Sequence, residues 1–187
     1  MSTITIDTIT TALADDLDRA FPELVIRLQD DLFSGILRMT GNRADAEDVA
    51  QEAFIRAYRA LQGYSPARIR QLRLRGWLWT IAINLCRNRA RGRSRKPEAF
   101  LPEGFEPADR ASGPEQVMLD LDGGRRLGQT VAALPAAQRE AVVLRHVVGL
   151  PYAEIAEATG RPVGTVKADV HRALAHLRRM VPSEETR

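Results

Sequence analysis

Tyr152–Arg179, YAEIAEATGRPVGTVKADVHRALAHLRR, holds two helical patterns hinged on one glycine. Ala156 and Gly160 stand four residues apart, and Val166 follows six later. That spacing supplies a small residue where two helices touch, a glycine able to take a positive φ, and a branched apolar residue that locks the second helix onto the first. It reads as a helix-turn-helix. In the second helix Val166, Val170, Ala173, Leu174 and Leu177 share one face and are expected to be buried. Thr165, Lys167, Asp169, His171 and Arg172 are expected nearer solvent. The N-terminal end of such a helix enters the DNA major groove, so these side chains reach base edges or phosphates. The plainer alternative is a helical hairpin whose polar side is only solvated.

The same three- and four-residue apolar spacing recurs along the chain, without sustained alternation between turn residues, so the fold class is all-α. From Ala20 to Met39 the set Phe21, Leu24, Val25, Leu28, Leu32, Phe33, Ile36 and Leu37 forms one face, broken at Thr40-Gly41-Asn42. Asn42 with Asp45 three positions on marks a helix start, and that helix is expected to run to about Leu61, stopped by Gly63. The pattern weakens over Ser65–Arg75 and returns from Trp77 to about Arg91. After Lys96 a stretch rich in proline, PEAFLPEGFEPADRASGP, lacks periodicity and reads as a linker between two small helical domains. Further helices are expected at Pro114–Leu134, Pro135–Val148, Tyr152–Thr159 and Val163–Met180.

Charge is distributed in blocks. The net +3 conceals a segment, Gly63–Pro97, with ten Arg or Lys and no acid, followed by Glu98–Asp122 with seven acids against Arg110 alone. The basic block calls for a polyanion, and the acidic one reads first as a solvated tether. Cys86 is the only cysteine, so no intrachain disulfide can form. The N-terminus lacks the pattern of a secretion signal and no apolar run reaches the ~20 residues of a membrane span, which predicts a cytoplasmic chain without membrane insertion. His146, His171 and His176 lack metal-ligand spacing, and no phosphate loop or nucleophile-base motif is present, so no catalysis, metal or cofactor is expected.

Two further stretches carry chemistry. Gly76–Lys96, GWLWTIAINLCRNRARGRSRK, combines two tryptophans with Arg87, Arg89, Arg91, Arg93, Arg95 and Lys96. Aromatic rings can stack on exposed bases and arginines attract phosphate, so the segment has the materials to hold single-stranded DNA. Trp77 and Trp79 are two apart and cannot share a helix face, so at least one packs inside; which one is open. In NRADAEDVAQEAFIRAYRAL, Val49, Ala53, Ala57 and Leu61 form the core face, and Asp45, Asp48, Gln51, Glu52 and Arg56 fall on another. Taken alone, that is a solvated face with helix-stabilising charge pairs.

DAEDVAQEAFIRAYRAL, then WLWTIAIN with its arginine cluster, then LPAAQREAVVLRHVVGLPYAEIAEATGRPVGTVKADVHRALAHLR, resembles the extracytoplasmic-function (ECF) group of bacterial sigma-70 family factors over about Phe21–Met180. The resemblance implies a tail or short helix over 1–19, a region 2-like domain over 20–96, a linker over 97–122, a region 4-like helix-turn-helix domain over 123–182 and a tail over 183–187. It implies core RNA polymerase as a partner, through the β′ clamp helices and the β flap, together with promoter DNA and an anti-sigma factor. Asp45, Glu47, Asp48, Gln51, Glu52 and Phe54 become polymerase contacts, and Trp77, Trp79, Asn84, Arg87, Asn88 and Arg91 contacts to −10 DNA. Arg161, Thr165, Lys167, Asp169, His171 and Arg172 become contacts to −35 DNA. Relatives often carry Arg or Ser-Arg after the TVK step, where this chain has Ala168 and Asp169. A carboxylate accepts from cytosine N4 and repels phosphate, so the −35 preference does not transfer from relatives. The acidic linker could also thread toward the polymerase active site as a nucleic-acid mimic. Competing functions are a conventional helix-turn-helix regulator and a polymerase-binding decoy that reads no DNA.

Overall fold

The computed structural model describes residues 6–95 and 128–180, and among these there is no strand. The helices are α1 (Ile6–Asp15), α2 (Leu17–Thr40), α3 (Arg43–Gln62), α4 (Pro66–Arg70), α5 (Leu74–Arg95), α6 (Ala136–Val142), α7 (Tyr152–Thr159) and α8 (Val163–Met180). Residues 128–132 are also helical, and α6 runs on into a π-helical turn, Val143–Val147. The expected linker, the acidic block and Lys96 lie outside the described residues.

Local chemistry sets the ends. Asp16 caps α2 by accepting from Arg19 N at 3.1 Å, and Asn42 caps α3 by accepting from Asp45 N at 2.8 Å. Gly41, at φ +68°, ends α2 with its N–H bonded to Leu37 O, a left-handed conformation that glycine enters without a Cβ penalty. The weak pattern over Ser65–Arg75 resolves into the single turn α4, opened by the Ser65 cap and Pro66. The expected tail or short helix at the N-terminus is α1, which buries Ile9 and Leu13.

α2 and α3 meet along four-residue ridges: Leu24, Leu28, Leu32 and Ile36 on one side, Val49, Ala53, Ala57 and Leu61 on the other. Alanine on α3 lets the ridges approach closely. α5 closes this core with Leu78, Ala82 and Ile83. The second half adds Leu134, Ala141, Leu144, Leu150, Ile155, Val166, Val170 and Ala173 to the same continuous core. Burying one of the Leu, Ile or Val side chains contributes about 1.5–3 kcal/mol relative to leaving it exposed.

The halves are packed together. Trp79 on α5 is 2% exposed. A methyl added to Gly35 of α2 would fall inside van der Waals contact of Trp79 Cη2, and 3.0 Å from its Cζ2 and 3.1 Å from Val148 Cγ2. Only glycine leaves room for an indole there. Polar clips surround this contact: Arg75 donates to Asp31 at 2.7 Å and to the Val148 carbonyl, and Arg139 donates to Met39 O at 2.8 Å. The basic loop is spent on such clips, with Arg70 on Asp15 of α1 and Arg73 on Glu157 of α7.

The π turn is the irregular element. Val148 N bonds back to Val143 O at 3.0 Å and Leu150 N to Leu144 O at 2.9 Å, five and six residues away. The wide turn keeps Val143, Leu144, Val148 and Leu150 buried while exposing His146 and Val147. The predicted helix Pro135–Val148 is therefore present but not uniformly α-helical.

Candidate nucleic-acid interface

On α5 the predicted residues divide. Trp77, Asn84, Asn88 and Arg91 recur at steps of seven, four and three, which places them on one stripe. Asn84, Asn88 and Arg91 are exposed, and Arg91 donates to Asn88 Oδ1 at 2.6 Å. Trp77 is half-buried beside Tyr64, ring centroids 6.0 Å apart. Trp79 is the interior one, answering which of the pair is core. Arg87 sits about 80° round the helix from Trp77 and faces the second half. Its Nε and Nη2 donate to the two oxygens of Glu140 at 2.9 and 2.8 Å, and it also reaches Thr159 O at 3.2 Å. The hydrogen bond to Glu140 raises the Arg87 pKa above its ordinary value despite partial burial. Arg139 beside it moves the other way, because burial disfavours its charge. Burial also pushes the Cys86 thiol up to about 12, with the Glu140 charge adding to it.

On α3 the acidic stripe is not uniform. Glu47, Asp48 and Gln51 are exposed and Glu52 is half-exposed, with Arg43–Glu47 and Arg56–Glu52 paired at 2.9 and 2.7 Å. Such exposed pairs contribute a few tenths of a kcal/mol each. Asp45, grouped with this face by its spacing, is instead 5% exposed and accepts from Arg89 Nε at 2.7 Å. It lies in the first helical turn, where the cap and the α5 arginine draw it inward. Phe54 is also buried, edge-on to Phe21 at 6.5 Å. Arg89 also donates to Asp48 at 2.7 Å, tying the arginine-rich helix to the acidic one. Ile55, absent from the predicted set, is 45% exposed and continues the stripe Asp48, Gln51, Glu52 at helical spacing. An isoleucine off the core face of a periodic helix was its available signal.

On α8, Gly160 takes φ +68° in the turn as expected, and Val166, Val170 and Ala173 are buried. Thr165, Lys167, His171 and Arg172 are exposed. The Lys167 ammonium lies 5.7 Å above the Tyr152 ring, which Arg145 also covers at 4.8 Å. Asp169 departs from the solvent-facing expectation, at 5% exposure. It flanks the core face, about 60° from Val166, and guanidiniums from Arg161 and Arg172 reach it at 2.7 and 2.6 Å. Arg161 is turned inward, donating also to Ala137 O and Glu140 Oε2. Glu140 therefore joins Arg87 of α5 to Arg161 of the turn. Sequence reasoning could not find it, because its partner on α5 is 53 residues away.

Among the described residues no three His, Cys, Asp or Glu side chains gather as a metal site, and no helix is long and apolar enough to cross a membrane. The geometry assembles three outward polar surfaces on α3, α5 and α8.

Two family models match the chain in order: Sigma-70 region 2 over residues 24–96, and Sigma-70, region 4 over residues 124–177. The ECF RNA polymerase sigma factor SigE of Mycolicibacterium smegmatis is 37% identical over 161 residues, which cover 85% of this chain and 60% of that longer protein. The RNA polymerase sigma-H factor of Pseudomonas aeruginosa is 36% identical, covering 83% of this chain and 82% of its own. The ECF RNA polymerase sigma factor SigW of Bacillus subtilis is 34% identical, covering 87% and 89%. Among solved structures, CnrH in complex with the cytosolic domain of CnrY superposes with a TM-score of 0.67 at 26% identity, over 93% of this chain and 95% of that one. The sigma factor RpoE bound to the anti-sigma factor NepR, from Bartonella quintana, shares the fold at a TM-score of 0.68 and 22% identity, over 88% of this chain and 98% of that one. With both regions matched in order and relatives at 34–36% identity covered over 82–89% of their length, the chain belongs to the ECF group of sigma-70 family RNA polymerase sigma factors.

Proposed function

We propose that this sigma factor directs promoter-specific initiation with three surfaces, each on its own helix. Glu47, Asp48, Gln51, Glu52 and Ile55 of α3 dock on the β′ clamp helices of core RNA polymerase. Trp77, Asn84, Asn88 and Arg91 of α5 read −10 DNA and hold it open. Thr165, Lys167, His171 and Arg172 of α8 read the −35 element, while the second half rests against the β flap. Asp45, Phe54, Trp79 and Arg161 support these surfaces from inside, consistent with their burial or inward pairing.

The observation that carries the reading is the α5 stripe, where a half-buried aromatic, two amides and an arginine share one face outside the packing between halves. Unstacking a duplex step costs a few kcal/mol, and stacking an exposed base on an aromatic returns ~1–3 kcal/mol. The remainder comes from phosphate attraction, which is blind to sequence. Arg87 can join only by leaving Glu140, so −10 engagement exchanges one acid-paired contact for a phosphate. An anti-sigma partner would act by covering the α3 or α5 stripe. CnrH and RpoE were each solved with a bound partner, which supports the expectation of a partner.

The test is reconstitution with bacterial core RNA polymerase on a genomic-fragment library, with transcript 5′ ends sequenced. New start sites sharing two upstream elements are expected. A complex without start sites would favour a decoy, and promoter binding without any complex would favour a conventional regulator.

A further inference from the structure

Asp169 is a buried acid in the middle of the helix proposed to read DNA, and its two oxygens serve different arginines. Oδ2 accepts from Arg161 Nη1 at 2.7 Å, and Oδ1 from Arg172 Nη2 at 2.6 Å. Arg161 is an internal brace, held further by Ala137 O and Glu140. Arg172 is different: its side chain is 55% exposed on the outer half of α8. An exposed arginine normally samples many rotamers, but here one edge of the fork is anchored to a carboxylate that is itself fixed from behind. Asp169 takes one N–H of Nη2, so the second Nη2 N–H and the donor beside it form an open two-donor edge that matches two acceptors on one base edge, the pattern of guanine O6 and N7.

We propose that Asp169 is a positioning residue for −35 recognition: it aims Arg172 at a guanine and, by cancelling one positive charge, shifts the contact from phosphate attraction toward base reading. This rests on α8 being the −35 reader. A carboxylate in the recognition helix, which would simply repel phosphate if exposed, is placed where it costs little attraction and gains orientation.

The experiment uses the full chain with core RNA polymerase on duplex DNA carrying a randomised −35 region and a fixed −10 element, over a salt series. Arg172→Ala is expected to lose preference for guanine at one position by roughly 5- to 100-fold. Asp169→Ala should lower preference at that same position several-fold, while the slope of log affinity against log salt steepens by about one unit. In an Arg172→Ala background, Asp169→Ala should change that position no further. Asp169→Asn keeps an acceptor and the side-chain volume, should shift preference less than Asp169→Ala, and carries the test if the alanine variant loses helicity. Unchanged preference in Asp169→Ala or, where that variant is unfolded, in Asp169→Asn would overturn the positioning role, as would an equal weakening of every sequence. If Arg172→Ala and Lys167→Ala both leave the −35 preference intact, α8 is not the reader and the positioning role falls with it. A change in Arg172→Ala without one in the Asp169 variants isolates the failure to the positioning role.

Discussion

Gly35→Ala sets two effects of opposite sign against each other. In the interior of α2, replacing glycine with alanine stabilises a helix by about 0.8–1 kcal/mol, since less backbone entropy is lost on folding. Against this, the added methyl would sit inside contact of Trp79 Cη2 and 3.1 Å from Val148 Cγ2. Trp79 is a rigid ring at 2% exposure and has nowhere to retreat, so the overpacking cost belongs near the upper end of about 1–3 kcal/mol. The net expectation is destabilisation by about 2 kcal/mol, or roughly 4–8 °C in Tm for a chain of this size. Gly92→Ala is the control, because that glycine is exposed on α5 with nothing within 4 Å of the new methyl. It should gain about 0.5–1 kcal/mol from propensity alone. Thermal melts by circular dichroism give the sign, and fluorescence in a Trp77→Phe background reports on Trp79 itself. A Gly35→Ala protein as stable as the parent, or more so, would refute the argument that an indole fills the space above this glycine.

Other outcomes follow from the paired charges and the half-buried thiol. Reversing Asp48 and Glu52 to lysine should weaken binding to core RNA polymerase at least tenfold while leaving helicity intact; unchanged affinity by fluorescence anisotropy would remove α3's outer stripe from the docking surface. Glu140→Gln should loosen the packing between halves, seen as faster proteolysis and a lower Tm, because Arg87 loses its charged partner and Arg161 the weaker of its two. Cys86, with its thiol pushed up to about 12 from an ordinary 9.0, should react with a thiol reagent at pH 8 roughly a thousandfold more slowly than in the urea-unfolded chain. The same shift is a stability statement: the unfolded chain loses the proton first, so this contribution is complete below pH ~9 and is lost as pH rises toward ~12. Tyr58, raised by its hydrogen bond to Asp18, acts in the same direction. A urea midpoint that did not fall between pH 8 and 11 would contradict both.

Periodicity and caps made the helices legible, because both are local. Asn42, Gly63, Gly160 and the apolar faces of α2, α3 and α8 could be assigned from residues within one or two turns. The burial of Asp169 and Asp45 was not legible, since it depends on Arg161 and Arg89 arriving from other parts of the chain. Spacing predicts which face a residue occupies but not what covers the flank of that face. The same limit applied to the arginines: composition announced a basic block, while Arg70, Arg73, Arg75 and Arg87 proved to be spent on Asp15, Glu157, Asp31 and Glu140. A block of ten basic residues reads as an open polyanion site, yet Arg70, Arg73, Arg75 and Arg87 hold the protein to itself.

The π turn after α6 acts as a phase shifter. Each residue inserted into or removed from an α-helix rotates everything beyond it by about 100°, and the extra residue housed in Val143–Val147 supplies one such step. Directly after that step Val148 sits against Gly35 beside Trp79, and Leu150 is buried in the core. Deleting one residue here would regularise the helix and improve its local hydrogen bonding, while turning the docking residues away from their partners. A repair of the local irregularity would therefore uncouple the two halves, and the length of this short segment is as much a part of the architecture as its side chains.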